Sequence, residues 1–140
     1  MTYQALVLVP VPRSGSELVE RARQELMRQF DGLAVVENSG DRLVLRFGIW
    51  SLRVVFTDAA HVLEETRELV ELCGSDRPDV PVLRALGARF ELGTDEDPEM
   101  IHFNDYVLAC EALERIDQAV AIDMAEPNFM SGKLLSHVAG

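Results

Sequence analysis

Residues 41–57 have the sequence DRLVLRFGIWSLRVVFT, which contains two runs of alternating apolar and polar residues. Alternation with a period of two is typical of an antiparallel strand with one buried face. The segment 48–51 separates the two runs. We therefore predict a hairpin of two strands joined by a turn at this segment. The apolar residues that share its buried face are Leu43, Leu45, Phe47, Leu52, Val54 and Phe56.

The opposite face of the hairpin carries Arg42, Arg46 and Arg53, which alternate with Val44 and Val55. The three arginines form a local positive stripe, called the arginine stripe below. In one explanation, acidic residues from the second half of the chain lie over this stripe and pair with it. In the other, the stripe is an open binding face for a carboxylate ligand or an acidic partner. Exposed ion pairs contribute only about 0–1 kcal/mol each, so the stripe would affect specificity more than stability.

The segments on both sides of the hairpin predict a mixed α+β fold. Ser14 and Glu17 have the spacing of a capping box and precede a helical repeat of apolar residues, which predicts a helix over 16–30. Asp58 and Asn104 are the predicted N-caps of two further helices. The remaining predicted elements are strands over 3–11, 33–37, 88–92 and 119–124 and a short helical turn within 82–87.

The order strand, helix, three strands, helix is close to a ferredoxin-like α+β sandwich, an antiparallel sheet with helices packed mainly on one face. The second half adds a less regular extension of a helix and a strand. A length of 140 residues is typical of one domain. We predict a single α+β domain over residues 1–140, in which residues 130–140 form a loosely docked tail.

Composition limits the classes of function. Apolar residues make up 48% of the chain, which excludes a disordered or fibrous protein. The formal net charge of −11 argues against nucleic acid or an anionic membrane as the main partner. Residues 1–58 contain seven basic and seven acidic residues, whereas residues 94–140 contain two basic and ten acidic residues. The excess negative charge therefore belongs to the second half of the chain.

Three features of the sequence indicate the compartment. No run approaches the roughly 18–20 apolar residues of a membrane span, and residues 5–11 make a poor signal peptide because Pro10 interrupts them. Cys73 and Cys110 lie far apart on apolar helix faces, where we expect them to pack as free thiols. Lys133 is the only lysine among the 13 basic residues, a bias typical of GC-rich bacterial genomes. We expect a cytoplasmic bacterial protein.

Ile49 and Trp50 are two large apolar residues in the predicted turn, where polar residues are usual. Either the turn folds back onto the core, or the pair forms an anchor for another protein chain. Together with the arginine stripe, these two residues are the predicted binding residues.

Candidate catalytic and metal-binding residues are sparse. His102 and Asp105 are three residues apart, so a helix that begins at His102 would place them on one face as metal ligands or as an acid/base pair. Two ligands do not make a metal site, and Asp123 and Glu126 would have to join them. The acidic loop 95–99 lacks the ligand spacing of a calcium loop and is expected to be solvated. No cofactor or nucleophile motif is present, so we assign no cofactor and no catalytic residue.

The first hypothesis for function is a non-enzymatic protein-binding or regulatory module, which forms a homodimer or contacts another protein through the hairpin. The second is a small hydrolase or a ligand- or metal-binding domain that uses His102, Asp105 and Asp123. A third hypothesis is that the acidic second half imitates nucleic acid and blocks a nucleic-acid-binding protein.

Overall fold

A computed structural model describes residues 1–136 of the chain, and within them it confirms a mixed α+β fold. The strands are β1 (Gln4–Val9), β2 (Val35–Ser39), β3 (Arg42–Phe47), β4 (Trp50–Thr57), β5 (Ala88–Thr94), β6 (Val120–Asp123) and β7 (Asn128–Phe129). The helices are α1 (Gly15–Gln29), α2 (His61–Cys73), α3 (Val80–Leu83) and α4 (Phe103–Glu114). The seven strands form a sheet in the order β2-β3-β4-β5-β1-β6-β7, and every neighbouring pair is antiparallel.

The predicted hairpin is confirmed as strands β3 and β4. Leu45 pairs with Leu52, and both side chains are fully buried on the predicted apolar face. The turn between the strands is shorter than predicted, because β4 already begins at Trp50. Gly48 in this turn has a φ of 65°, which glycine adopts without strain.

Helices α1 and α4 pack on the face of the sheet that buries the apolar side of the hairpin, called the first face below. The predicted cap of α1 is present, because the amide of Glu17 donates to Ser14 Oγ at 3.3 Å. Apolar residues then recur at helical intervals and point into the core. The core residues of α1 and its C-cap are Val19, Ala22, Leu26 and Phe30, and those of α4 include Tyr106, Ala109, Cys110 and Leu113.

Helices α2 and α3 pack on the opposite face, called the second face below. Leu8 of β1 belongs with Val70 and Leu83 to a second apolar cluster, whereas Val7 belongs to the first cluster. Neighbouring residues of a strand point to opposite faces, so β1 is buried on both sides. The expected ferredoxin-like arrangement with helices mainly on one face is therefore not confirmed. The physical reason is the continuous apolar run of β1, which needs a helical layer on each face.

Two predicted helix caps are corrected. Asp58 does not cap α2, because Ala60 is the N-cap residue and no side-chain capping hydrogen bond is present there. Asn104 lies inside α4, whose N-cap residue is His102. The amide of His102 donates instead to the carboxylate of Asp97, at 2.9 Å. Helix α4 is thus capped from the loop that precedes it.

Polar contacts hold the segment that follows β7. The amide of Leu135 donates to Asp79 at 2.8 Å, and the Leu135 side chain is buried. Arg77 donates to the carbonyl oxygen of Lys133 at 2.6 Å. Residues 137–140 of the predicted loosely docked tail lie outside the described residues. The extent of the domain stays a prediction.

Candidate functional site

The second face of the sheet is open over β3 and β4. A Cβ atom added to Gly93 of β5, which pairs with Arg53, would meet no heavy atom within 4 Å. Of the apolar side chains of β3 and β4, Val44 and Val55 on this side are only half-buried, whereas on the first face all except Phe47 are buried. The residues of this surface, called the open face below, are Arg42, Val44, Arg46, Arg53 and Val55.

The three arginines of the stripe lie on the open face but differ in their ion pairs. Arg53 Nη1 lies 2.9 Å from Asp95 Oδ1, and Arg46 Nε lies 3.1 Å from Glu37 Oε1. Arg42 is exposed and has no ion-pair partner within residues 1–136. Pairing with acidic residues from the second half of the chain therefore applies to Arg53 alone.

Asp95 connects the acidic loop to the hairpin. Its carboxylate accepts hydrogen bonds from the amide of Ser51 at 2.9 Å, from Ser51 Oγ at 2.8 Å and from Arg53 at 2.9 Å. The bond from Arg53, followed by that from Ser51, lowers the pKa of Asp95 below its ordinary value of 3.8. Sequence reasoning missed Asp95 because the residue lies 42 positions after Arg53.

Ile49 and Trp50 have opposite environments. Ile49 is fully exposed at the tip of the hairpin, whereas Trp50 is only 5% exposed and stacks on the ring of His102 with 4.3 Å between centroids. The predicted anchor is corrected accordingly, because Trp50 packs on the core and only Ile49 is available to a partner. A signal for this burial is present in the sequence, since Trp50 continues the alternating series of Leu52 and Val54.

His102 and Asp105 form a hydrogen-bonded pair, with 2.9 Å between Nδ1 and Oδ2. Asp123, the third candidate of the enzymatic hypothesis, accepts a hydrogen bond from the Tyr106 hydroxyl at 2.7 Å. Within residues 1–136, no group of three His, Cys, Asp or Glu side chains is placed to hold a metal ion. The contact with Trp50 and the bond to Asp105 together fix the orientation of the imidazole.

The acidic loop is partly buried rather than solvated throughout. Asp97 accepts hydrogen bonds from the Tyr3 hydroxyl at 2.7 Å and from the amides of Ile101 and His102 at 3.0 and 2.9 Å. Burial raises the pKa of Asp97, but these bonds outweigh it and the pKa lies below 3.8. Burial and the bond to Asp97 in turn raise the pKa of Tyr3 to about 12. Asp97 is thus a structural cap for α4.

Both cysteines are free thiols within the described residues. Burial raises the pKa of Cys73, and the pKa of Cys110 is raised by burial and by the nearby carboxylate of Glu114. The thiolate is the reactive form of cysteine. Neither thiol is therefore activated as a nucleophile.

No family model matches the chain, and no curated protein or solved structure matches it. In the part of the chain that the structure describes, no helix is both long and apolar enough to cross a membrane. Function is therefore inferred from the geometry of the surfaces and side-chain clusters themselves.

Proposed function

We propose that the protein is a non-enzymatic protein-binding or regulatory module that uses the open face as its contact surface and forms a homodimer through it. The observation that carries this proposal is the position of half-buried Val44 and Val55 among the three arginines on an uncovered sheet surface. A sheet face that meets only water usually carries mainly polar side chains. Valines within such a surface favour contact with another protein.

The shape and composition of the open face suit a protein partner. Sites for small molecules are concave pockets, whereas an uncovered sheet face is an extended surface. Arginine is enriched at protein interfaces, where its apolar stem packs and its guanidinium group donates hydrogen bonds. Ile49 adds a fully exposed apolar side chain at the tip of the hairpin. These features together resemble the mixed composition of a protein contact surface.

A second copy of the chain is the partner that the charge pattern favours. The open face and its border carry both signs of charge, with Arg42, Arg46 and Arg53 beside Glu37 and Asp95. In a two-fold association the same patch meets itself, so residues of one sign can face residues of the other. Arg42 gains most from such a contact, because it has no ion pair within residues 1–136.

The free thiols of Cys73 and Cys110 support a cytoplasmic location in this proposal. Reducing compartments keep thiols from forming disulfides. Neither cysteine belongs to the open face, so the proposed association does not involve cysteine oxidation.

The alternative function is a small hydrolase or a ligand- or metal-binding domain that uses His102, Asp105 and Asp123. A hydrogen-bonded imidazole and carboxylate are common parts of catalytic sites. The support is weaker here, because the imidazole is stacked on Trp50 and Asp123 is bonded to Tyr106.

Charge reversal at Arg42 tests the proposed dimer. Arg42→Glu places a negative charge against Glu37 or Asp95 of the second copy, and we expect a dimer about tenfold weaker, a difference of about 1.4 kcal/mol. Arg67→Glu is the matched control, because Arg67 is an exposed arginine of α2 that does not belong to the open face. Size-exclusion chromatography with light scattering measures the molecular mass at several protein concentrations.

We expect the mass of two chains for the wild type and for Arg67→Glu, and a shift toward one chain for Arg42→Glu. Circular dichroism checks that all three proteins are folded. A wild-type protein that remains a single chain at millimolar concentration contradicts the homodimer. Equal capture of another protein by the wild type and by Arg42→Glu contradicts the open face as the contact surface.

A further inference from the structure

A cavity of about 460 Å³ lies beside α2 on the second face of the sheet. This volume is within the range of small-molecule sites, which is about 300–1,000 Å³. One wall of the cavity is apolar and is formed by Leu6 of β1, Leu69 and Leu72 of α2, and Met124, which follows β6. A short hydrocarbon chain would pack on a wall of this composition.

Arg89 of β5 lines the same cavity and is only 7% exposed. Its Nε donates to Glu91 at 2.9 Å, and its Nη2 lies 2.8 Å from a carboxylate oxygen of both Glu65 and Glu91. Its Nη1 is buried and has no hydrogen-bond partner within residues 1–136. Buried polar groups are nearly always hydrogen-bonded, so an unpartnered guanidinium donor marks a position for an acceptor.

Helix α2 contributes a second buried polar atom without a partner in the described residues, Thr66 Oγ1. Thr66 follows Glu65, which is one of the two partners of Arg89. Helix α2 contacts β5, the strand that carries Arg89. Thr66 is not among the residues that line the cavity, so the polar anchor of the cavity is Arg89 alone.

The charges around Arg89 select the kind of polar group. Glu65 and Glu91 offset the positive charge of Arg89, and Glu68 adds another carboxylate to the lining of the cavity. An anionic group would therefore meet a net negative surface. A neutral amide or hydroxyl group can accept a hydrogen bond from Arg89 and donate one to Glu68.

We propose that this cavity binds a small amphipathic molecule that has a neutral amide or hydroxyl head and a short hydrocarbon chain. The chain packs on the apolar wall, and the head accepts a hydrogen bond from Arg89 Nη1, which is shielded from solvent until the Glu65 side chain moves. The side chain of Glu65 is 45% exposed, so it can rotate to admit the head. No residue that lines the cavity belongs to the open face, so different variants test the cavity and the homodimer.

Isothermal titration calorimetry with octanamide, sodium octanoate and acetamide tests this proposal. Octanamide and octanoate have the same chain length and differ in the charge of the head, whereas acetamide keeps the neutral head without the chain. We expect octanamide to bind at least about tenfold more tightly than either of the other two compounds. Amide NMR spectra of the same titration are expected to show shifts in α2 and β5.

Leu72→Asp and Leu33→Asp are a matched pair of variants, because the two leucines are 70% and 73% exposed and only Leu72 lines the cavity. Leu72→Asp is expected to weaken octanamide binding by about tenfold, and Leu33→Asp is expected to leave it unchanged. Exposed positions tolerate both substitutions, and thermal melts check that the variants are folded. The proposal is overturned if octanoate binds as tightly as octanamide, if Leu72→Asp has no effect, or if millimolar octanamide produces neither heat nor amide shifts.

Discussion

Trp50 is the residue that connects the hairpin to the rest of the molecule. Its ring stacks on His102 at the start of α4, and its Nε1 donates to the main-chain oxygen of Asp95 at 3.2 Å. The ring also contacts Phe47 across the hairpin, with 5.7 Å between centroids. One side chain therefore ties together the hairpin, the acidic loop and α4. The preceding residue, Ile49, is fully exposed.

The two neighbouring residues should respond differently to truncation. We expect Trp50→Ala to lower the free energy of unfolding by about 3–5 kcal/mol, because it leaves a cavity in the core. Ile49→Ala is the matched control and should change the free energy by no more than about 0.5 kcal/mol. Urea denaturation followed by circular dichroism measures both. Similar losses in the two variants would show that Trp50 is not a core residue.

Among the elements, β7 and the segment after it are held by the loop before α3. Arg77 donates to both carboxylate oxygens of Asp79, at 2.9 and 2.8 Å, and its guanidinium group lies 3.9 Å from the ring centroid of Phe129 in β7. The hydrogen bonds from Arg77 are the main reason that the pKa of Asp79 lies below its ordinary value of 3.8. Burial raises this pKa, and the hydrogen bond from the Leu135 amide lowers it further. Asp79 is therefore ionised in the folded protein at neutral pH.

Asp79→Ala should release this segment. The substitution leaves the largely buried Arg77 without its carboxylate, and we expect a loss of about 2–3 kcal/mol in the free energy of unfolding at neutral pH. Asp76→Ala is the matched control from the same loop, because Asp76 is exposed, and it should have an effect below about 0.5 kcal/mol. Urea denaturation of the three proteins measures the difference.

The effect of Asp79→Ala should depend on pH in a defined direction. The folded pKa of Asp79 is below the unfolded value of 3.8, so the ionised carboxylate stabilises the fold fully above pH 3.8. That contribution is lost as the pH falls through the folded pKa. The difference between wild type and Asp79→Ala should therefore shrink on acidification, and a difference that grows would contradict this account.

Elements whose determining residues lie close together in the sequence were predictable. Helix α1 and the hairpin follow from a capping box, a helical repeat and a period of two. The cap of α4 was not predictable, because Asp97 is buried by a contact with Tyr3, which lies 94 positions earlier in the chain. The placement of α2 and α3 on the second face was missed, because the apolar run of β1 shows burial on both sides without showing what covers each side.

For the candidate surfaces, the sequence likewise predicted which residues share a strand face but not their contacts with distant residues. Alternation places the arginines and valines of the open face together, but it does not indicate that Asp95 pairs with Arg53. Arg89 gave no sequence signal, since an arginine inside a strand is usually exposed. Its burial depends on α2, which crosses the second face at that point.

In the whole molecule, helices cover the first face and the part of the second face near β1, and they leave the open face uncovered. The negative charge of the second half of the chain reaches this surface through Asp95 and is balanced there by Arg53. The open face thus has charges of both signs around two valines. The proposed function depends on whether a second copy buries this surface.

Methyl NMR spectra of the wild-type protein, recorded from millimolar to micromolar concentration, test that contact most directly. Dissociation of the proposed homodimer changes the surroundings of the Val44 and Val55 methyl groups, whereas Val19 and Leu113 stay in the core of each chain. We predict shifts that depend on concentration for Val44 and Val55 and constant shifts for Val19 and Leu113. Constant shifts for Val44 and Val55 over the whole range would contradict the account.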